Sequence, residues 1–408
     1  MPSVDSDSPL VVYLDALDRE LTQIKSWSLD SDYMTSCDGF EFVVVDADPD
    51  NLRDLEGQPV TLTVSGAVQL VGRIDTTERG GDGLAVTCAG RDYLADLVEC
   101  NIDPTFVIKE KQTLGDAILG ACAPIGITKL APHSDVQVML DIRQGVPGKT
   151  RLSKGAKAAN RSKQFETINL DDLKPDMGQG IYEFLNPICQ RHNCTIQPTH
   201  TRDTLLIAGP FYDQAAGFKI VRLRADEGTT NNVMSATARR NYSAFPSMII
   251  VQGQGAPRSG EGTSSAQITI DTWSEAQHFG GELARTLNSI TWSGRRKPTD
   301  KSALPIDKIY RLNIFRDDKA RNATEIENAG RRLFAEHLKN TLEYRVKLRG
   351  HIDPYTGALW SHDTIVTVDD DVCDIHEDLW VKGRRFSYDA TDGPTTELTC
   401  LRPGSFEI

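Results

Sequence analysis

The sequence predicts a β-rich α+β protein: two antiparallel β-barrels, a small α/β module inserted between them, and helical additions to the second barrel. Three observations carry this. Residues 10–88 are short, partly alternating, β-branched segments separated by turn formers. From about residue 99 the apolar spacing changes to that of a helix. Beyond about residue 211 strand character returns. The expected division is therefore 1–98, 99–210 and 211–408. A chain of 408 residues exceeds one ordinary core, which agrees with several packed units.

In the first region the strand candidates are VVYLDAL, WSLDSD, EFVVVDA, PVTLTVSG, AVQLVGRID and LAVTCAG, parted by DADPDN, EGQP and ERGGDG. Their spacing fits a small antiparallel barrel or a curled sheet. The region ends in AGRDYLADLVECN, residues 89–101, dense in Asp92, Asp96, Glu99 and Cys100. These groups could be imagined as a proton-transfer site. A plainer reading ends a strand at Gly90 and starts a helix near Arg91. Tyr93, Leu94 and Leu97 then form its buried stripe, and the three acids fall largely toward solvent. Asp92 lies in the first turn, where negative charge suits the helix dipole. No catalytic residue is predicted.

In the second region TLGDAILGACAPIG repeats apolar residues at helical spacing and stops at Pro-Ile-Gly. MGQGIYEFLNPICQRHN places Ile181, Phe184, Leu185 and Ile188 on one stripe, and two short strands, CTIQPT and DTLLIAG, follow. Between the helices runs a basic loop, about 143–163, with seven basic residues and no acid. A solvated excursion is the default. A basic arm touching an acidic partner or a phosphate is the alternative. GVPGKT invites a phosphate-loop reading, but GxxxxGK[ST] needs glycine where Arg143 stands.

The third region offers FKIVRLRA, SMIIVQGQG, QITIDTW, YRLNIFRD, YRVKLRG, TIVTVDD, LWVKGRRFSYD and TTELTCLRP as strands. Helices are expected at about 274–290 and 323–340, the second with Ala323, Ile326, Ala329, Leu333 and Phe334 on its apolar face. GQGAPRSGEGTSS reads as a surface loop.

Composition narrows the chemistry. A net charge of −13 argues against nucleic-acid recognition, which needs a positive footprint. No apolar run approaches the length of a membrane span. MPSVDSDSPLVVYLD lacks a basic n-region, so a reducing cytoplasm is expected. The eight cysteines, at 37, 88, 100, 122, 189, 194, 373 and 400, include no CxxC pair. Most read as small buried hydrophobes. His192, beside Cys194, reads as a helix C-terminal residue favoured by the dipole. The His- and Asp-rich run 351–380 could be imagined as a metal site, yet TIVTV alternates as a strand and DDDV suits a hairpin turn. GxSxG and HExxH are absent. No metal ligand and no cofactor is predicted.

Three motifs follow in order. Gly90, Arg91, Asp96, Leu97, Val98, Glu99 and Cys100 form the first, and PDMGQGIYEFLNPICQRHNCTIQPTHTRDTLLIAGP the second. The third is ATEIENAGRRLFAEHL followed by VKLRGHIDPYTGALWSHDTIVTVDDD and DLWVKGRRFSYDATDGPTTELTCLRPGSF. This series resembles the baseplate hub proteins of contractile phage tails, especially the Mu-like group, and hub parts of phage-like contractile injection systems. The basic loop departs from that pattern in length and charge. The resemblance implies barrels like those of tail-tube subunits and a homotrimer whose six barrels match a six-fold tube to a three-fold central spike. It implies as partners the spike and a tail tube or tube-adaptor protein, with tape measure protein and baseplate wedge components as further candidates. It places the protein in the virion tail baseplate after assembly in the host cytoplasm, without enzymatic activity. The alternative is a virion-associated peptidoglycan hydrolase, suggested by the acidic clusters. A carbohydrate-binding adhesin is weaker, because the tryptophans at 27, 273, 292, 360 and 380 are scattered as core or interface residues are.

Overall fold

The computed structural model describes residues 10–21, 23–46, 52–80, 84–108, 112–131, 174–191, 194–212, 214–224, 231–243, 245–253, 267–271, 311–317 and 323–406. Seven strands come first: β1 (Leu10–Leu14), β2 (Arg19–Leu21), β3 (Ile24–Asp32), β4 (Gly39–Val45), β5 (Pro59–Val64), β6 (Ala67–Arg79) and β7 (Ala85–Asp92). They lie antiparallel in the order β3-β4-β7-β6-β5-β1-β2. Alternation sets the faces: Leu10, Val12 and Leu14 are buried, and so are Val60, Leu62 and Val64 on the paired strand. Ser65 and Gly66, with φ of 50° and 80°, turn β5 into β6. Two successive left-handed residues are what a tight hairpin demands.

Gly90 does not end its strand. It pairs with Phe40 on one side and Ile74 on the other, and β7 continues to Asp92. A Cβ at Gly90 would run into the Arg73 carbonyl and the Phe40 ring, so close approach of neighbours requires glycine there. The helix expected from Arg91 is therefore shorter, α1 (Ala95–Glu99).

The inserted elements are α1, α2 (Leu114–Cys122), β8 (Lys129–Leu130), α3 (Ile181–Arg191), β9 (Thr195–Pro198) and β10 (Thr204–Ala208). Thr113 caps α2 reciprocally: its hydroxyl accepts from the Asp116 N–H at 3.1 Å, and the Asp116 carboxylate accepts from the Thr113 N–H at 3.4 Å. Gly126, φ 86°, closes the turn after Pro124. The stripe Ile181, Phe184, Leu185 and Ile188 is buried with Leu97, Leu114 and Ile118 in a core of its own. β10 runs parallel to β8 and antiparallel to β9.

The remaining strands are β11 (Phe218–Arg222), β12 (Val233–Arg240), β13 (Met248–Gly253), β14 (Gln267–Asp271), β15 (Leu312–Asp317), β16 (Leu342–Arg349), β17 (Thr364–Asp370), β18 (Ile375–Asp389) and β19 (Gly393–Leu401). β13 is flanked by β14 and β15, and helix α4 (Ala323–Lys339) sets Ile326, Ala329, Phe334 and Leu338 against Ile249 and Val251. The basic loop 143–163, the expected helix 274–290 and all but the first residue of GQGAPRSGEGTSS lie outside the described residues.

The expectation of two barrels is overturned. Apart from β13–β15, the described strands before and after the insert belong to one 13-stranded mixed sheet, in the order β12-β16-β19-β18-β3-β4-β7-β6-β5-β1-β2, with β17 paired to β18 and β11 to β17. No pairing among the described residues links β12 to β2, so the sheet does not close. The physical reason lies in β18. Its fifteen residues are long enough to hold β17 along one half and β3 along the other, so the second set of strands extends the first. One core accordingly mixes Val12, Leu62 and Phe42 with Trp360, Leu379 and Phe386.

Gly90→Ala is expected to destabilise the protein by about 1–3 kcal/mol, since an added methyl must displace backbone. Gly39→Ala, whose nearest obstacle is 3.9 Å away, should change stability by no more than about 0.5 kcal/mol. Urea unfolding of both variants checks the contrast; equal effects would refute the close-approach argument.

Candidate functional site: a three-way polar joint

Strand β18 changes partner at one residue. Ile375–Val381 pair with β17, and Gly383–Tyr388 pair with β3. On the opposite edge, Val381 faces Cys400 and Gly383 faces Thr399, so Lys382 is the extra residue of a bulge. A bulge bends its strand and re-aims the side chain. Here Lys382 Nζ lies 2.8 Å from Asp32 Oδ2, and the Lys382 carbonyl accepts from the Tyr33 N–H at 2.9 Å.

Two residues on, Arg384 is 4% exposed. Its Nη1 donates to Gln69 Oε1 at 2.8 Å and to the Trp360 carbonyl at 3.0 Å, and Nη2 donates to Ser31 Oγ at 3.2 Å. The guanidinium also sits 4.1 Å over the Phe386 ring. A buried cation needs such partners to offset desolvation. Nearby, His351 packs against Trp27 and Phe386; burial, then the Arg384 charge, push its pKa down to about 4.

The insert is bound to the same place. Buried Tyr33 donates its hydroxyl to the Ala208 carbonyl at 3.1 Å, and Gln197 Nε2 donates to the Tyr33 carbonyl at 3.3 Å. Tyr93 donates to the Thr204 carbonyl at 2.7 Å and accepts from the Thr199 N–H at 2.6 Å. Asp363 Oδ1 accepts from the Phe211 N–H at 3.0 Å and from Trp380 Nε1 at 2.9 Å. Between these segments lies a cavity of about 20 Å³ lined by Asp38, Asp92, His200, His362 and Arg384, among others. That is room for about one water.

Asp92 differs from its sequence reading. It is not on a solvent face but buried, accepting from the Leu94 N–H at 2.9 Å and the Asp38 N–H at 3.0 Å. Burial and the neighbouring Asp38 carboxylate hold its pKa well above the ordinary range, against the pull of those amides. Asp96 and Glu99 do face outward, where they join an ion-pair network. Arg73 reaches Asp75 and Asp96 at 3.2 Å each and Glu99 at 3.5 Å. Arg91 pairs with Asp75 at 2.7 Å and with Glu99, and Arg202 approaches Asp96 at 3.5 Å. The network ties β6 and β7 to α1 and to the turn between β9 and β10. Cys100 packs against the insert's core instead of beside these acids.

The His- and Asp-rich run 351–380 is dispersed. Asp353 is buried and accepts from the Lys219 and Tyr355 N–H groups; Asp370 is buried and accepts from the Val372 and Cys373 N–H groups and from the Tyr344 hydroxyl. Asp369, Asp371 and His376 do meet at the exposed end of the β17–β18 hairpin, with His376 Nδ1 2.6 Å from Asp369 and Nε2 3.7 Å from Asp371. Trp27, Trp360 and Trp380 are core residues. Trp273, Trp292 and His192 lie outside the described residues. Sequence reasoning missed Arg384. Its trace in the sequence is the pair Arg384-Arg385 within LWVKGRRFSYD, where alternation sends one inward and the other to solvent.

No family model and no curated protein matches the chain. Solved structures do share its fold. A tail protein from Neisseria meningitidis MC58 superposes with a TM-score of 0.67 at 17% identity, over 97% of this chain and 97% of that one. The prophage MuSo2 43 kDa tail protein from Shewanella oneidensis gives 0.65 at 17% identity, over 98% and 99%. A prophage tail protein from Listeria monocytogenes EGD-e gives 0.54 at 12% identity, over 97% and 95%. At these identities the likeness shows a common fold.

Two buried groups give the joint opposite responses to pH. Asp92, with its folded pKa raised, contributes stability fully below its ordinary value of 3.8 and loses it as pH rises through the folded value. His351, depressed from 6.5 to about 4, contributes above 6.5 and loses that as pH falls toward 4. Urea unfolding between pH 4 and pH 8 should therefore show Asp92→Asn gaining stability relative to the unsubstituted chain as pH rises, on top of a constant loss from one broken hydrogen bond. Parallel pH profiles would contradict the burial argument.

Proposed function

We propose that this chain is a structural hub of a contractile phage tail baseplate, a homotrimeric ring that fits a six-fold tail tube to a three-fold central spike. The observation that carries the reading is end-to-end agreement: the folds of two tail proteins cover 97% and 98% of this chain and nearly all of their own length. The joint suits such a part. Its three segments are held by fixed, buried hydrogen bonds, so an axial push on one moves the others with it. The role is passive and non-enzymatic: holding a channel and passing force between neighbours.

In this reading one face meets the spike and the opposite face a tube or tube-adaptor protein. Tape measure protein and wedge components are further neighbours, and the working location is the virion baseplate after assembly in the host cytoplasm. Closed rings of this type arise from head-to-tail contacts between identical subunits.

Native mass spectrometry should give three chains per particle, and electron microscopy a three-fold ring with a central hole. Peptidoglycan zymography should show no clearing. A stable monomer that joins neither tube nor spike would overturn the hub reading, and clearing would favour the hydrolase.

A further inference from the structure

Five of the eight cysteines gather at the core of the insert: Cys122, Cys189 and Cys194 are buried in it, and Cys37 and Cys100 pack against it. Cys189 and Cys194 stand apart from the rest. The Cys194 N–H donates to the Cys189 carbonyl at 3.1 Å, and the Cys194 thiol donates to the same oxygen at 3.3 Å. Both side chains lie in the same buried core. A backbone bond returning over five residues at a helix end brings the side chains of its first and last residues together. Cys189 belongs to the last turn of α3, and Cys194 directly precedes β9. The sequence reading of both as small buried hydrophobes describes their burial but not this contact.

We propose that Cys189 and Cys194 form a modification site, a dithiol that closes to a disulfide when a two-electron oxidant such as a peroxide reaches it. One sulfur is oxidised to a sulfenic acid as the peroxide O–O bond breaks and one water leaves. The second sulfur displaces the hydroxyl, the S–S bond forms, and a second water carries away the remaining protons. Overall, two thiols and one hydrogen peroxide give one disulfide and two waters. The bond fixes the end of α3 to the start of β9, whose Gln197 holds Tyr33 at the joint. Full burial makes closure slow, over hours at millimolar peroxide, in line with the general pace of uncatalysed disulfide chemistry. A role after release from a reducing cell rests on the tail reading; the chemistry of the pair does not.

Trypsin cuts after Arg191, between the two cysteines, so the purified chain tests this without substitution. The chain is treated with hydrogen peroxide while its circular dichroism stays native, then alkylated in denaturant and digested. The expected result is a peptide ending at Arg191 linked to the one beginning at His192, reversible by dithiothreitol, with Cys189 and Cys194 both protected from alkylation until it is reduced. The proposal is overturned if both cysteines remain alkylatable after half-buried Cys37, Cys100 and Cys373 have reacted. It is also overturned if the link joins other cysteines, or forms only after the chain has unfolded.

Discussion

The pairing of β18 with β3 is the single strand pairing, among the described residues, between the seven strands before the insert and the sheet strands after it. It depends on the bulge at Lys382, which lets one strand leave β17 and take up β3 without a break. The common core follows from this: residues from both halves are buried together only because one strand belongs to both. The hydrogen bonds from the insert to Tyr33 lie directly beyond the same bulge, since Tyr33 itself is held by the Lys382 carbonyl.

Arg384 guards the register of that connection. A slip of one residue in β18 that sets Gly383 in the place of Arg384 would turn Arg384 to solvent. Gln69, Ser31 and the Trp360 carbonyl would then face a glycine and lose their donor. Leaving a buried acceptor without its donor costs about 1–3 kcal/mol, a large fraction of the stability of a typical protein. An apolar residue at 384 would fill the space but would tolerate a slip more readily. The specificity comes from three acceptors on three separate segments.

The individual strands were legible because alternation reports which face is buried, as in Val60, Leu62 and Val64. Alternation is silent on whether a sheet closes, because a barrel and an open curled sheet bury the same positions. The barrel expectation failed there, and the partner exchange of β18 is a long-range event with no local signature. β12 escaped notice because, as an edge strand, it stays largely exposed, and VMSATARR shows no buried alternating face. The stripes on α3 and α4 were readable, since helical period and burial coincide. In AGRDYLADLVECN the acids were legible as a group. Asp92 could not be told from Asp96, because what separates them is the extra strand pairing that Gly90 permits.

Asp92 also shows why a displaced pKa needs a second criterion before it is read as catalysis. A buried carboxyl shifted by desolvation and a neighbouring charge, at a cavity lined by histidines and an arginine, meets the usual description of a functional site. Volume distinguishes the cases. Ligand pockets run to about 300–1,000 Å³, whereas this cavity holds about 20 Å³. The shift is the electrostatic consequence of closing three segments over Asp38 and Asp92, and the amides of Leu94 and Asp38 hold the carboxyl in place whatever its charge. A group used this way makes the seating of the insert on the sheet depend on pH.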